Sequence, residues 1–249
     1  MTKVVSTHSY RGGTGKSNTT ANLAATLAQR GWRDAIVDTD IQSPGIHVLF
    51  QVDPQQLRYT LNDYLWGRCR IEETAVDVSH GGGGTGSVML VPSSIRTGEI
   101  ARILKEGYDV SMLNDGFREL GERLSLDYLL IDTHPGVNEE TLLSIAISDT
   151  LVLILRPDHQ DYQGTAVTLE LARRLEVPQL LLVVNKVLAA FDFRQLADRI
   201  ASTYRSPVAA VLPLSEDMIR LGSGGLFAIL EPDSSYAKGI NAIADLIEQ

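Results

Sequence analysis

The sequence predicts an α/β protein built on one doubly wound, mostly parallel sheet with helices on both faces. Two observations carry that expectation. Strand-like apolar runs alternate with helical patterns along almost the whole chain, as successive βαβ units require. The runs at 127–132, 150–156 and 179–185 are nearly continuous Leu, Ile and Val, the composition of strands buried on both faces.

In chain order, the first strand is expected at 3–8, where Val4 and Val5 open an apolar run, and a helix at 16–30, where Leu23, Leu27 and several alanines share a face. Further strands are expected at 34–39, 87–92, 127–132, 150–156, 179–185 and 207–212. The helical patterns between and after them fall at 60–66, 97–106, 112–124, 138–148, 164–175, 192–204, 215–222 and 235–248. Residues 81–86, GGGGTG, precede a strand rather than a helix and carry no following Lys-Ser, so they read as a flexible hairpin or surface turn.

The chain's 249 residues suit a single domain over 1–249, and 44% hydrophobic content at a mean hydropathy of zero suits a globular protein with a full core. No apolar stretch approaches the roughly 20 residues that span a bilayer. The N-terminus shows no secretory pattern, so a cytoplasmic location is expected. One cysteine, Cys69, excludes an internal disulfide and a C-x-x-C metal or cluster site. A formal charge of −9 disfavours nonspecific nucleic-acid binding, and the arginines at 194, 199 and 205 are interspersed with Asp192 and Asp198.

The chemistry concentrates at strand ends. Residues 10–17, YRGGTGKS, stand between the first strand and the first helix, the context of a P-loop. Backbone N–H groups of Gly12, Gly13, Thr14 and Gly15, with the positive end of the helix through Asn18, would cradle a polyphosphate. Lys16 would reach the β- and γ-phosphates, and the Ser17 hydroxyl would hold Mg²⁺. Tyr10 stands where the strict pattern has its first glycine. The segment 36–44, IVDTDIQSP, ends a strand in Asp38 and Asp40; if it stays extended, both carboxylates face the nucleotide edge. One would serve Mg²⁺ and the other would orient the attacking water. Asp132 ends the apolar run of 129–136, LLIDTHPG, as a Walker B carboxylate for Mg²⁺. His134 beside it reads as a loop residue more readily than as a catalytic one. Asn185 ends another buried strand and could pair with adenine; Leu188 stands where guanine-specific proteins carry Asp, which favours ATP over GTP. Pro213 would flank the base. Asp34 is expected to be exposed or paired with Arg30 or Arg33, because an unpaired buried carboxylate is costly.

These motifs, RGGTGKS, D-x-D-x-x-x-P, DT-x-PG, the strand-end Asn and LPLSED, occur in the order of the ParA/MinD ATPases, and the chain resembles that family over essentially its whole length. The resemblance implies a P-loop NTPase fold with a deviant Walker A motif and a homodimer that sandwiches ATP. It also implies slow hydrolysis stimulated by a protein partner, and work in intracellular positioning or partner regulation. The family's signature lysine crosses the dimer to the partner's phosphates; here the position holds Arg11, which keeps the charge and offers a bidentate fork. Membrane-binding relatives end in a basic amphipathic helix, whereas 241–249, NAIADLIEQ, has two acids and no base, so a packed helix is expected. Two other functions compete. A nucleotide-gated binding module with little turnover would not need Asp40 and Asp132. An ATP-dependent small-molecule enzyme would need a second substrate pocket, and its iron-cluster forms need paired cysteines.

Overall fold

The computed structural model describes residues 1–79 and 85–249, so the glycine run at 81–84 lies outside the described residues. Among the described residues there are eight strands: β1 Lys3–His8, β2 Arg33–Asp38, β3 Val76–Asp77, β4 Ser87–Val91, β5 Tyr128–Asp132, β6 Thr150–Leu155, β7 Gln179–Val187 and β8 Val208–Pro213. They form one sheet in the order β3-β4-β2-β5-β1-β6-β7-β8. Every pairing is parallel except the short β3–β4 contact. The α-helices are α1 Lys16–Gln29, α2 Ile46–Leu49, α3 Leu61–Leu65, α4 Thr97–Glu106, α5 Ser111–Leu124, α6 Glu139–Ala146, α7 His159–Arg174, α8 Phe193–Tyr204, α9 Glu216–Leu221, α10 Phe227–Leu230 and α11 Ser235–Ile247.

Alternation along the strands sends side chains into two layers. Ile36, Leu90, Leu130, Val152 and Val183 pack with Leu23 and Leu27 of α1 and with α11. Ala35, Val37, Val91, Leu129 and Ile131 pack with α3 and α5, and Leu153, Leu155, Leu182 and Val184 pack with α7 and α8. The C-terminal α11 is packed as expected: Ile240, Ile243 and Ile247 are fully buried, and Arg30 of α1's C-cap binds Asp245 at 2.8 Å and Glu248 at 2.7 Å.

The elements differ from expectation in few places. Helix α7 begins five residues before the expected start at 164, because Asp158 caps it by accepting from the N–H groups of Gln160 and Asp161. The two-residue β3 and the one-turn α2 and α10 are too short to leave a periodic signal.

Asp34 is a clear correction. It is buried and, among the described residues, unpaired: it sits in β2 between Val88 of β4 and Tyr128 of β5, and neither carboxylate oxygen has a hydrogen-bond partner there. Arg30 is turned to α11, and Arg33 donates to the carbonyl of Leu124. Burial first, and nearby Asp127 second, push Asp34 well above the usual carboxylate range. A folded-state pKa above the unfolded value means that the fold holds the extra proton, so stability falls as pH rises from about 4 toward that raised value. Asp34→Val should therefore melt higher than wild type at pH 7.5, by roughly 1–3 kcal/mol, with a smaller advantage at pH 4.5. An equal advantage at both pH values would refute this account of Asp34.

Candidate functional site

The carboxyl ends of β1, β2, β5 and β7 meet at one edge of the sheet, where an open α/β architecture binds its ligands. The loop between β1 and α1 turns through left-handed backbone at Gly13, φ 76°, and Gly15, φ 96°, a region open to glycine at little cost. Gly15 is the N-cap of α1, and a Cβ there would collide with the Asn185 amide. A 14-residue helix thus begins at Lys16 with its free N–H groups toward the loop.

Lys16 and Asp132 form a buried ion pair at 3.0 Å, their side chains 7% and 1% exposed. The Thr20 hydroxyl lies 3.1 Å from the same Asp132 Oδ1. Asp132 Oδ2 is buried without a partner among the described residues. Asp38 stands in register with Asp132 on the adjacent strand. Burial, then the neighbouring Asp132, push Asp38 up to about 8, against the opposing pull of Lys16.

The chain does not stay extended beyond Asp38. It turns, with the Asp40 N–H donating to Asp38 Oδ1 at 3.1 Å and the Gly45 N–H to Oδ2 at 3.3 Å. The turn brings Asp40 toward Lys16 and His134, both of which favour its charged form against a burial that pushes its pKa up. Three carboxylates thus face one lysine. That surplus of hard oxygen donors, with one buried oxygen unpartnered and the Ser17 hydroxyl at the helix start, fits Mg²⁺. Among the described residues no group of three or more His, Cys, Asp or Glu is placed to hold a metal ion by itself. Mg²⁺ with one or two carboxylates and a substrate's phosphates needs none.

Asn185 and Pro213 line a cleft of about 260 Å³ together with Asn18, Leu214, Met218 and Ile219. The Asn185 Nδ2 donates to the Thr14 carbonyl at 2.8 Å, and its Oδ1 accepts the Lys186 N–H at 2.8 Å. One N–H and one lone pair of the amide remain for a base.

Arg11 meets the N-terminal end of α7. Its Nη1 lies 3.8 Å from Asp158 and 3.6 Å from Asp161, and its side chain is 41% exposed.

Three contributors escaped the sequence reading. Lys186, in left-handed backbone at φ 58°, donates from Nζ to the Gly13 carbonyl at 2.7 Å. A lysine directly after the strand-end Asn was the only signal. His8 ends β1 fully buried, 2.7 Å from the Thr133 hydroxyl, which itself donates to the Thr7 carbonyl. His8 therefore donates from Nδ1, tying the first strand to the loop after β5; burial, then Lys16 and His134, lower its pKa to about 3 and keep it neutral. The third is the Asp158–Asp161 pair that meets Arg11. His134 donates from Nδ1 to the Pro135 carbonyl at 2.6 Å and sets Nε2 3.9 Å from Asp40.

A glycine loop opening a helix, a lysine at its start and a carboxylate at the end of the neighbouring strand define a P-loop nucleotide-binding protein. The AAA domain family matches residues 2–180. The chain is 25% identical over 246 residues to an uncharacterized ATP-binding protein of Methanocaldococcus jannaschii, covering 98% of this chain and 87% of the relative. It is 26% identical over 210 residues to the flagellum site-determining protein YlxH of Helicobacter pylori, covering 84% and 67%. Its fold matches that of the septum site-determining protein MinD of Pyrococcus horikoshii, complexed with Mg-ADP, at a TM-score of 0.82 and 21% identity over 100% and 97% of the two chains. The chain belongs to the AAA domain family, and its relatives and fold support a P-loop ATPase of the ParA/MinD kind. Among the described residues no helix is long and apolar enough to cross a membrane.

Proposed function

We propose that this protein is an ATP-driven dimerisation switch that hydrolyses ATP slowly and uses the paired state to position a cellular component or regulate a protein partner. The observation that carries the reading is the convergence of Lys16, Asp38, Asp40 and Asp132 at one sheet edge beside the glycine loop. Relatives named for determining flagellar and septal sites support the positioning role. In this reading the loop amides and Lys16 hold the phosphates, and Asp40 orients the attacking water. Asp38, Asp132 and Ser17 would hold Mg²⁺, which supplies charge neutralisation at the transferring phosphoryl group. The cleft at Asn185 and Pro213 would seat the base.

Arg11 acts in trans, reaching the phosphates of the second subunit as a charge-stabilising fork. Its exposure leaves it accessible to a second chain.

Light scattering and turnover assays test the switch. Wild type should self-associate with ATP and magnesium but not with ADP, and Arg11→Ala should associate at least roughly tenfold more weakly, the loss of about one charge-assisted contact per site. Nucleotide-independent behaviour of wild type would overturn the switch. Unchanged association of R11A would remove the role of Arg11 in trans.

A further inference from the structure

β1 ends in a fully buried histidine, at a position where an apolar residue could be buried without a desolvation cost. The His8 imidazole also leaves Nε2 buried without a partner among the described residues. Local rules broken in this way collect at functional sites. What the ring gains is the bond from Nδ1 to the Thr133 hydroxyl. Thr133 is the first residue beyond β5, where the chain leaves the sheet on its way to α6. Its hydroxyl is clamped by consecutive residues of β1, accepting from His8 and donating to the Thr7 carbonyl at 3.0 Å. Backbone makes further ties between this loop and β1, from the Thr133 N–H to the Thr7 carbonyl and from the Gly136 N–H to the Ser9 carbonyl. Those need no particular side chain. The bond between His8 and Thr133 needs two. The residue after Thr133 is His134, whose Nε2 stands 3.9 Å from Asp40 Oδ1. A torsional slip at Thr133 would pass directly to His134, and so to the face that Asp40 meets.

We propose that His8 is a positioning residue for hydrolysis: by holding the Thr133 hydroxyl it fixes the loop after β5, and with it the wall that His134 sets against Asp40. The inference rests on the reading that Asp40 orients the attacking water. The hydrogen bond of the His8 ring goes to Thr133, so its loss should appear in the hydrolysis rate rather than in ATP binding.

Single-turnover hydrolysis, ATP-binding titrations and thermal melts of the full chain test it. His8→Phe keeps a buried ring but loses the donor. It should slow hydrolysis roughly five- to hundredfold, between the loss of one hydrogen bond and a misplacement of about 1 Å. Its ATP affinity should stay within about twofold of wild type. Its melting temperature should not fall, because the substitution also removes the orphaned Nε2. His8→Asn, whose amide N–H can stand where Nδ1 stands, should recover most of the rate. Thr133→Val should be slow and Thr133→Ser close to wild type, and this pair decides the matter should H8F fail to fold. The double variant H8F/T133V should be no slower than T133V alone, because both remove the same bond. Wild-type turnover in H8F or T133V overturns the inference. So does a parallel fall in rate, affinity and melting temperature that H8N leaves unrepaired. If D40A is slow while H8F is normal, the role of Asp40 stands and that of His8 fails. If D40A hydrolyses ATP normally, the role of Asp40 fails and takes the route from His8 with it.

Discussion

Replacing Lys16 with methionine should reduce ATP turnover by at least about a thousandfold, the scale on which a cationic clamp stabilises a transferring phosphoryl group. The same substitution has a second consequence that needs no nucleotide. Lys16 and Asp132 are a buried pair, and removing one partner of such a pair costs up to about 3–5 kcal/mol. The nucleotide-free variant should therefore melt well below wild type. Asp132→Asn, which keeps a carbonyl oxygen for Lys16 and Thr20, should melt closer to wild type while losing turnover. Hydrolysis rates and thermal melts of the two variants check the prediction together; wild-type turnover in K16M would remove Lys16 from the chemistry.

Asp40→Ala should slow hydrolysis by roughly a hundred- to ten-thousandfold, the range for loss of a residue that positions or accepts a proton from the nucleophile. ATP binding should survive, because the Asp40 carboxylate accepts from Ser43 at 3.2 Å and faces His134, and among the described residues it hydrogen-bonds none of the glycine loop's backbone. The ATP-bound dimer should then persist. A single-turnover assay separates the two effects, and normal hydrolysis in D40A would assign the water to another group.

Much of this site was legible in the sequence because each chemical group ends a strand. The runs before Asp132 and Asn185 are apolar enough to fix their depth in the sheet, and topology then puts their last residues on one edge. What was not legible is pairing through space. Arg11 and Asp161 are separated by 150 positions, and nothing local to either predicts the other. Asn185 looked like a base reader, yet half of its amide capacity holds Thr14 and its own neighbour's N–H. Asp34 looked like a residue at a strand's surface end, and the sheet instead closes over it from β4 and β5. The late expected start of α7 has a local cause that could have been read: D-x-x-D at 158–161 is a capping signal.

The bonds from Asn185 to Thr14 and from Lys186 to Gly13 fasten the wall of the base cleft to the phosphate loop. A nucleotide in this site would be gripped at both ends by a single mechanical unit. Losing the γ-phosphate would loosen the loop and, through these two bonds, the seat of the base as well. Product would then leave as one concerted departure rather than peel away from one end, so exchange of ADP for ATP should show a single kinetic phase.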